Sequence, residues 1–231
     1  MQDLYKVIRI DEMDYGCEGV PDGASLMDEV TLEAEDGTRR TVPANDRALT
    51  AMKLDEGDCA YLVGGVLQKA YVGEFRPMRR FKQALSEEEC LDVLEKGGHG
   101  VLAVSGDDGY PYAVPLNFYF DRENMKLYFH GASVGHKIDS IARHDKVSFC
   151  VTENLGKAPG EWWNTWKSVI AFGRIHPVPD MKETEEITRN IGNKYYPSKE
   201  LVEKEIEATR TRVHCLELRI EHLSGKRIRE K

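Results

Sequence analysis

The chain has 231 residues and a mass of 26.2 kDa, of which 41% are hydrophobic, enough to pack one or two domains and too apolar for a wholly disordered chain. Its longest apolar runs, Tyr61–Val66 and Ser168–Phe172, fall far short of the ~20 residues that cross a bilayer, and its start, MQDLYKVIRIDEMD, lacks the basic-then-apolar order of a targeting peptide. The formal net charge of −8 is unevenly spread, with 7 basic and 16 acidic side chains in residues 1–75 against 25 and 24 in residues 76–231. No Lys/Arg stripe dominates either part, which argues against a nucleic-acid partner. The expectation is a cytoplasmic protein without membrane association, made of two units, 1–75 and 76–231.

The first unit reads as short strands between turns. Leu4–Ile10 alternates as a strand, and Asp14–Ser25, rich in Gly, Pro and Asp, reads as loop. Val30–Glu35 and Thr38–Val42 flank Asp36-Gly37, a dipeptide that supplies the positive φ of a tight hairpin. Glu56-Gly57-Asp58 then leads into a strand at Cys59–Val63. This small acidic β-rich unit carries no recognisable chemical constellation.

Beyond Pro77 the pattern changes. Ser86-Glu87-Glu88-Glu89 is a capping box, and the helix it opens runs through Leu91 and Leu94 to Gly97-Gly98. Strands are expected at Gly100–Ser105, Tyr112–Phe120, Lys126–Gly131, Val147–Thr152, Lys167–His176 and Val213–Glu221. Helices are expected at Gly135–His144, Asp180–Lys194 and Ser198–Thr209. Six strands, mostly hairpin-linked, with helices between them predict a closed antiparallel barrel with helices packed outside. The five cysteines are scattered and form no C-x-x-C pair, so neither a disulfide framework nor a metal site is indicated. Cys90 and Cys150 read as small core hydrophobes, whereas Cys17, in Tyr-Gly-Cys-Glu-Gly, lies in loop-like surroundings where a thiol could react.

The chemistry concentrates in Tyr110–Lys137. Pro115 interrupts the strand-like Tyr112–Asn117; having no N–H for a ladder, it marks a bulge or a sheet edge, where free backbone groups can face a planar polar heterocycle. The next strand ends in Gly131-Ala132 and enters a helix through Ser133-Val134-Gly135-His136-Lys137. A helix start offers unpaired N–H groups to a phosphate, and Lys137 adds a full charge there. Taken singly, each favours the plainer reading: His130 as a satisfied core or rim histidine, Lys137 as a surface lysine and Pro115 as an edge device against aggregation.

Taken together, G-x-PYAVPLN-F-x-F, LYFHGASVGHKIDSI, VSFCV and KSVIAFGRIHPV closely resemble the flavin-binding split-barrel superfamily, which includes the pyridoxamine-phosphate oxidases. Within it the nearest branch is the nitroimidazole-resistance (Nim-like) proteins, and the resemblance spans about residues 78–228. It implies a mainly β fold with peripheral helices, a six-stranded antiparallel split β-barrel that binds FMN, and a homodimer with its flavin sites at the interface. By position it implies that Val114, Pro115, Leu116 and Asn117 line the isoalloxazine and ribityl chain. Phe129 and His130 would then contact the flavin from the neighbouring strand, Gly135, His136 and Lys137 hold the phosphate, and Trp166, Lys167 and Ser168 close the site from the other subunit. His130 matches the histidine that is the usual catalytic candidate of that branch, and an imidazole near pKa ~6.5 can exchange a proton as a flavin changes redox state.

The resemblance leads to an FMN-dependent oxidoreductase that reduces a small electrophile, of nitroaromatic or quinone type, with electrons from NADH or NADPH. No G-x-G-x-x-G follows a strand, so the nicotinamide would have to bind transiently over the flavin rather than in a Rossmann site. The alternative is a non-catalytic module that binds or senses flavin or haem, and a deazaflavin could occupy a site of this shape. True pyridoxamine-phosphate oxidases carry a C-terminal run rich in Arg and Trp, whereas this chain has no tryptophan beyond Trp166, which ranks vitamin-B6 oxidation last. The cluster Trp162-Trp163-Asn164-Thr165-Trp166 is either a stacking wall for an aromatic substrate or dimer-interface core.

Overall fold

The computed structural model describes residues 3–13, 23, 25–157, 159–160, 162–209 and 212–229. Cys17 and most of the expected Asp14–Ser25 loop lie outside the described residues. The chain divides into two compact units, 1–76 and 77–231.

The first unit is a five-stranded antiparallel sheet ordered β3-β2-β1-β4-β5, from β1 (Leu4–Glu12), β2 (Met27–Ala34), β3 (Arg39–Asn45), β4 (Cys59–Val63) and β5 (Val66–Ala70). Asp36-Gly37 turns the β2–β3 hairpin: Gly37 has φ 81°, and Asp36 accepts the Thr38 N–H. Gly64 and Gly65, both at positive φ, join β4 to β5 in the same way. A short helix α1 (Asp46–Met52), absent from the sequence reading, begins where Asn45 accepts the Ala48 N–H. Tyr5, Val7, Val30, Leu32, Leu49 and Ala60 form this unit's own core.

The second unit contains α2 (Glu87–Lys96), β6 (Gly100–Ser105), β7 (Pro111–Leu116), β8 (Tyr119–Asp121), β9 (Lys126–Gly131), α3 (His136–Arg143), β10 (Lys146–Asn154), β11 (Thr165–Pro177), α4 (Met181–Tyr195), α5 (Lys199–Thr209) and β12 (His214–Arg229). Among the described residues its sheet has seven strands in the order β7-β6-β10-β11-β12-β9-β8, every pair antiparallel. This corrects the expected six strands and the closed barrel. The run Tyr112–Phe120 is two strands, because the chain dives at Phe118, a fully buried side chain. The N–H and C=O of Phe118 both bond to the Tyr195 hydroxyl on α4, which replaces the ladder at the break. β7 and β8 thus end up at opposite ends of the hydrogen-bonded order, and the barrel is split between them.

Helix α2 opens with the expected capping box: Ser86 accepts the Glu89 N–H while Glu89 accepts the Ser86 N–H. Its inner face, Cys90, Val93 and Leu94, joins Leu102, Phe118, Leu127, Phe129, Phe149, Val169 and Leu218 in one core. Burial pushes the thiols of Cys90 and Cys150 up, which disfavours the reactive thiolate and suits the packing role expected of them. No helix among the described residues is long and apolar enough to cross a membrane, and no described cluster of His, Cys, Asp or Glu could hold a metal.

Candidate functional site

β7 is an edge strand, as its proline predicts: it pairs with β6 alone, Pro115 opposite Val101. Pro111 and Pro115 stand four residues apart, so in a ladder that alternates at every residue both fall on the register that faces away from the sheet. Side chains alternate too. Tyr112, Val114 and Leu116 lean on the core, whereas Ala113, Pro115 and Asn117 are exposed.

β9 lies between β8 and β12, with His130 opposite Cys215. Phe129 points inward, fully buried and edge-on to Phe149 at 4.9 Å, so it reaches this rim only through its backbone. His130 points outward. Protein crowding around the ring, and then the Lys137 charge, hold its imidazole below the ordinary value of 6.5.

After β9 the chain passes Gly135, at φ 117°, and enters α3 with no side chain capping its first turn. Its first N–H groups are therefore open to a ligand. Lys137, the second residue of α3, folds back over the end of β9, so that a Cβ added at Gly131 would stand 3.3 Å from its Nζ. The lysine is half-buried, has no counter-ion among the described residues, and burial lowers its pKa. A partly desolvated ammonium without an anion, at an uncapped helix start, fits a phosphate.

The side chain of His136 turns toward β7, while its backbone N–H belongs to the open first turn of α3. Its ring stacks on Tyr112 at 4.1 Å, and its Nε2 lies 3.3 Å from Asp107, which also receives Arg143 at 2.6 Å. These contacts tie the start of α3 to β7 and to the turn after β6.

Trp166, Lys167 and Ser168 lie elsewhere in the fold. They sit near the start of β11, Trp166 opposite Asn154 and Ile228, Ser168 opposite Thr152 and Lys226. His130 is abreast of the far end of β11, since Cys215 follows the Leu216–Pro177 pair in the ladder. From Ser168 to Pro177 is about 30 Å of strand at ~3.3 Å per residue, so one chain does not bring the two groups together. Lys167 and Arg227 share Glu89 at 3.3 and 2.7 Å, a contact between α2 and the sheet that no local pattern announced.

An antiparallel barrel split beside an edge strand, with an uncapped helix start on its rim, defines the class: a split β-barrel. The sequence profile of the family described as pyridoxamine 5'-phosphate oxidase matches residues 86–227, more than half of the chain, and the chain belongs to that family. Its fold is similar to that of a conserved hypothetical protein from Mycobacterium tuberculosis, with TM-score 0.55 and 16% identity over 65% of this chain and 89% of that one. A flavocytochrome from Azotobacter vinelandii gives TM-score 0.51 and 21% identity over 65% and 72%. A protein of Bacteroides thetaiotaomicron assigned provisionally to 5-nitroimidazole antibiotic resistance gives 0.50 and 20% over 63% and 87%. In sequence, a 5a,11a-dehydrotetracycline/5a,11a-dehydrooxytetracycline reductase of Streptomyces rimosus is 28% identical over 91 residues, 38% of this chain. The match spans 61% of that reductase's length.

Proposed function

We propose that this protein is an FMN-dependent oxidoreductase, acting as a homodimer, that passes electrons from NADH or NADPH to a small electrophile of nitroaromatic or quinone type. The observation that carries this reading is the half-buried Lys137 ammonium, without a counter-ion among the described residues, held over Gly131, beside His130 and at the open start of α3. Family membership and the distant S. rimosus reductase support a flavin and a reduction. The flavin, when bound, supplies the hydride and electron chemistry.

The chain's own residues bind and orient. Lys137 and the first N–H groups of α3, from Gly135 onward, take the phosphate charge. The off-sheet edge of β7, Val114 to Asn117, lies along the ring and ribityl chain, with Pro115 donating no N–H there. The His130 imidazole, its pKa lowered, is uncharged near neutral pH and stands ready to accept a proton at a ring nitrogen. Trp166 and Ser168 come from the second copy, which accounts for their distance from His130 within one chain. Trp162, 71% exposed just before them, is the kind of surface a second copy covers.

The purified protein should be yellow, release FMN on denaturation, elute as a dimer, and bleach anaerobically with a nicotinamide donor. A chain that stays colourless in excess FMN, or whose flavin stays oxidised with both donors, removes the reading. His130→Ala should cut turnover while flavin stays bound; if flavin occupancy alone responded, a binding or sensing module would be the better account.

A further inference from the structure

A second feature of the 77–231 unit is not used by the flavin site. A groove of about 890 Å³ opens between the segment leading into α2 and the end of β12, lined by Arg80, Lys82, Gln83, Leu85, Glu89 and Arg227. Arg80 and Lys82 have no ion-pair partner among the described residues. The one carboxylate among the described lining residues, Glu89, is already engaged: its Oε1 receives Arg227 and Lys167, and its Oε2 accepts the Ser86 N–H. Among the described residues, no carboxylate compensates the charge of Arg80 and Lys82.

Gln83 adds a demand of a different kind. Its Oε1 is buried and accepts no hydrogen bond from any described group. A buried acceptor left empty costs free energy until an N–H or O–H reaches it. The groove's basic wall therefore asks for an anion, and Gln83 for a hydrogen-bond donor. A phosphorylated nucleoside has both.

Its position says which one. Lys167 pairs directly with Arg227, and Trp166 with Ile228, so the groove abuts the Trp166–Ser168 stretch of β11. Without a glycine-rich Rossmann turn, a dinucleotide's phosphates must be gripped by side chains. We infer that the Arg80–Lys82–Gln83–Arg227 groove receives the phosphate-bearing adenosine end of the nicotinamide donor. This rests on the dimeric flavin reading above, in which Trp166–Ser168 of a second copy stand beside the flavin. Arg80 and Lys82 grip phosphate, Arg227 is held in place by Glu89, and Gln83 accepts from a ribose hydroxyl or the adenine amino group.

The test titrates oxidised full-length protein with NADP+ calorimetrically, with flavin content read by absorbance in every sample. The double variant Arg80→Ala/Lys82→Ala should bind NADP+ about tenfold or more weakly, with a shallower salt dependence, because charged phosphate contacts dominate such binding. Gln83→Leu should weaken NADP+ about fivefold without lowering the melting temperature, since it removes an acceptor that nothing satisfies in the free protein. Flavin content should stay at the wild-type level in both. Wild-type protein that does not bind NADP+, or a double variant that binds it as tightly as wild type, overturns the inference. Protein that carries no flavin, yet loses NADP+ on Arg80→Ala/Lys82→Ala, would sink the flavin reading alone and still locate a nucleotide in this groove.

Discussion

The Tyr195 hydroxyl closes a two-way hydrogen bond with the backbone of Phe118, accepting its N–H at 2.9 Å and donating to its C=O at 2.9 Å. One side chain on α4 thus stands in for a missing strand at the point where β7 gives way to β8. The partners lie 77 residues apart, so the split in the barrel is held by a long-range contact and not by a turn sequence.

Tyr195→Phe removes that hydroxyl and leaves both Phe118 backbone groups unpaired, while the ring's packing is kept. The expected loss is about 1–3 kcal/mol, the cost of stranding buried polar groups. Urea unfolding should show a lower midpoint with an unchanged slope. A midpoint within error of wild type would mean that the Phe118 backbone finds other partners.

Gly173 sits where the β11–β12 register shifts, next to Phe172, and a Cβ there would stand 1.9 Å from the Arg219 carbonyl oxygen. Backbone cannot retreat from such a contact without opening the ladder. Gly173→Ala should therefore destabilise by about 3 kcal/mol or more, at the upper end of overpacking costs. Thermal unfolding checks this, and a change below about 1 kcal/mol would show that the bulge relaxes freely.

These two positions mark where sequence reading stops. Asp36-Gly37 and the Ser86/Glu89 box were legible because each is a local rule: the residues that need each other lie within four positions. Lys126–Gly131 and Gly100–Ser105 were legible for the same reason, as runs bounded by turns on both sides. The break at Phe118 was not, because the residue that satisfies it is on another element. Nor was the length of β12, which continues through Ser224-Gly225-Lys226. Gly225 sits inside the strand, where Cys90 and Leu85 press against it and leave no room for a side chain.

For the candidate site the boundary is the same. Pro115 and Lys137 announced an edge strand and a basic helix start from their own neighbourhoods. What they could not announce is that His136 turns aside to Tyr112 and Asp107, or that Phe129 faces the core. The separation of Trp166 from His130 is a matter of strand register, set by β12 lying between β9 and β11.

Lys137 and His130 repel one another when both are protonated, and that repulsion is one of the two causes that lower the His130 pKa. Lys137→Met removes it and leaves the crowding. The imidazole should then titrate at a higher pH than in wild type, while still falling short of a free histidine. Proton–nitrogen NMR across pH 4–9 reads this directly, and an unmoved or lower titration would place the ammonium away from the ring. On the flavin reading proposed above, the same variant should weaken FMN by about tenfold or more, since the phosphate would lose its charged partner.

Lys194 offers a pH test of stability away from the candidate site. Its ammonium lies 4.0 Å over the Phe118 ring, half-buried and without an ion pair among the described residues. Burial pulls its pKa down from 10.5 to about 8, with Glu95 pulling partly the other way. Below about 8 the lysine is charged in both the folded and the unfolded chain, so the folded state bears the full burial cost. Between about 8 and 10.5 the unfolded chain holds more protons than the folded one, so this contribution to stability improves as pH rises. Lys194→Met should therefore melt higher than wild type at pH 7, and the gap should close as the pH climbs through that window. A gap that stays constant from pH 7 to pH 10 would show that the contact with the Phe118 ring fully offsets the desolvation of the charge.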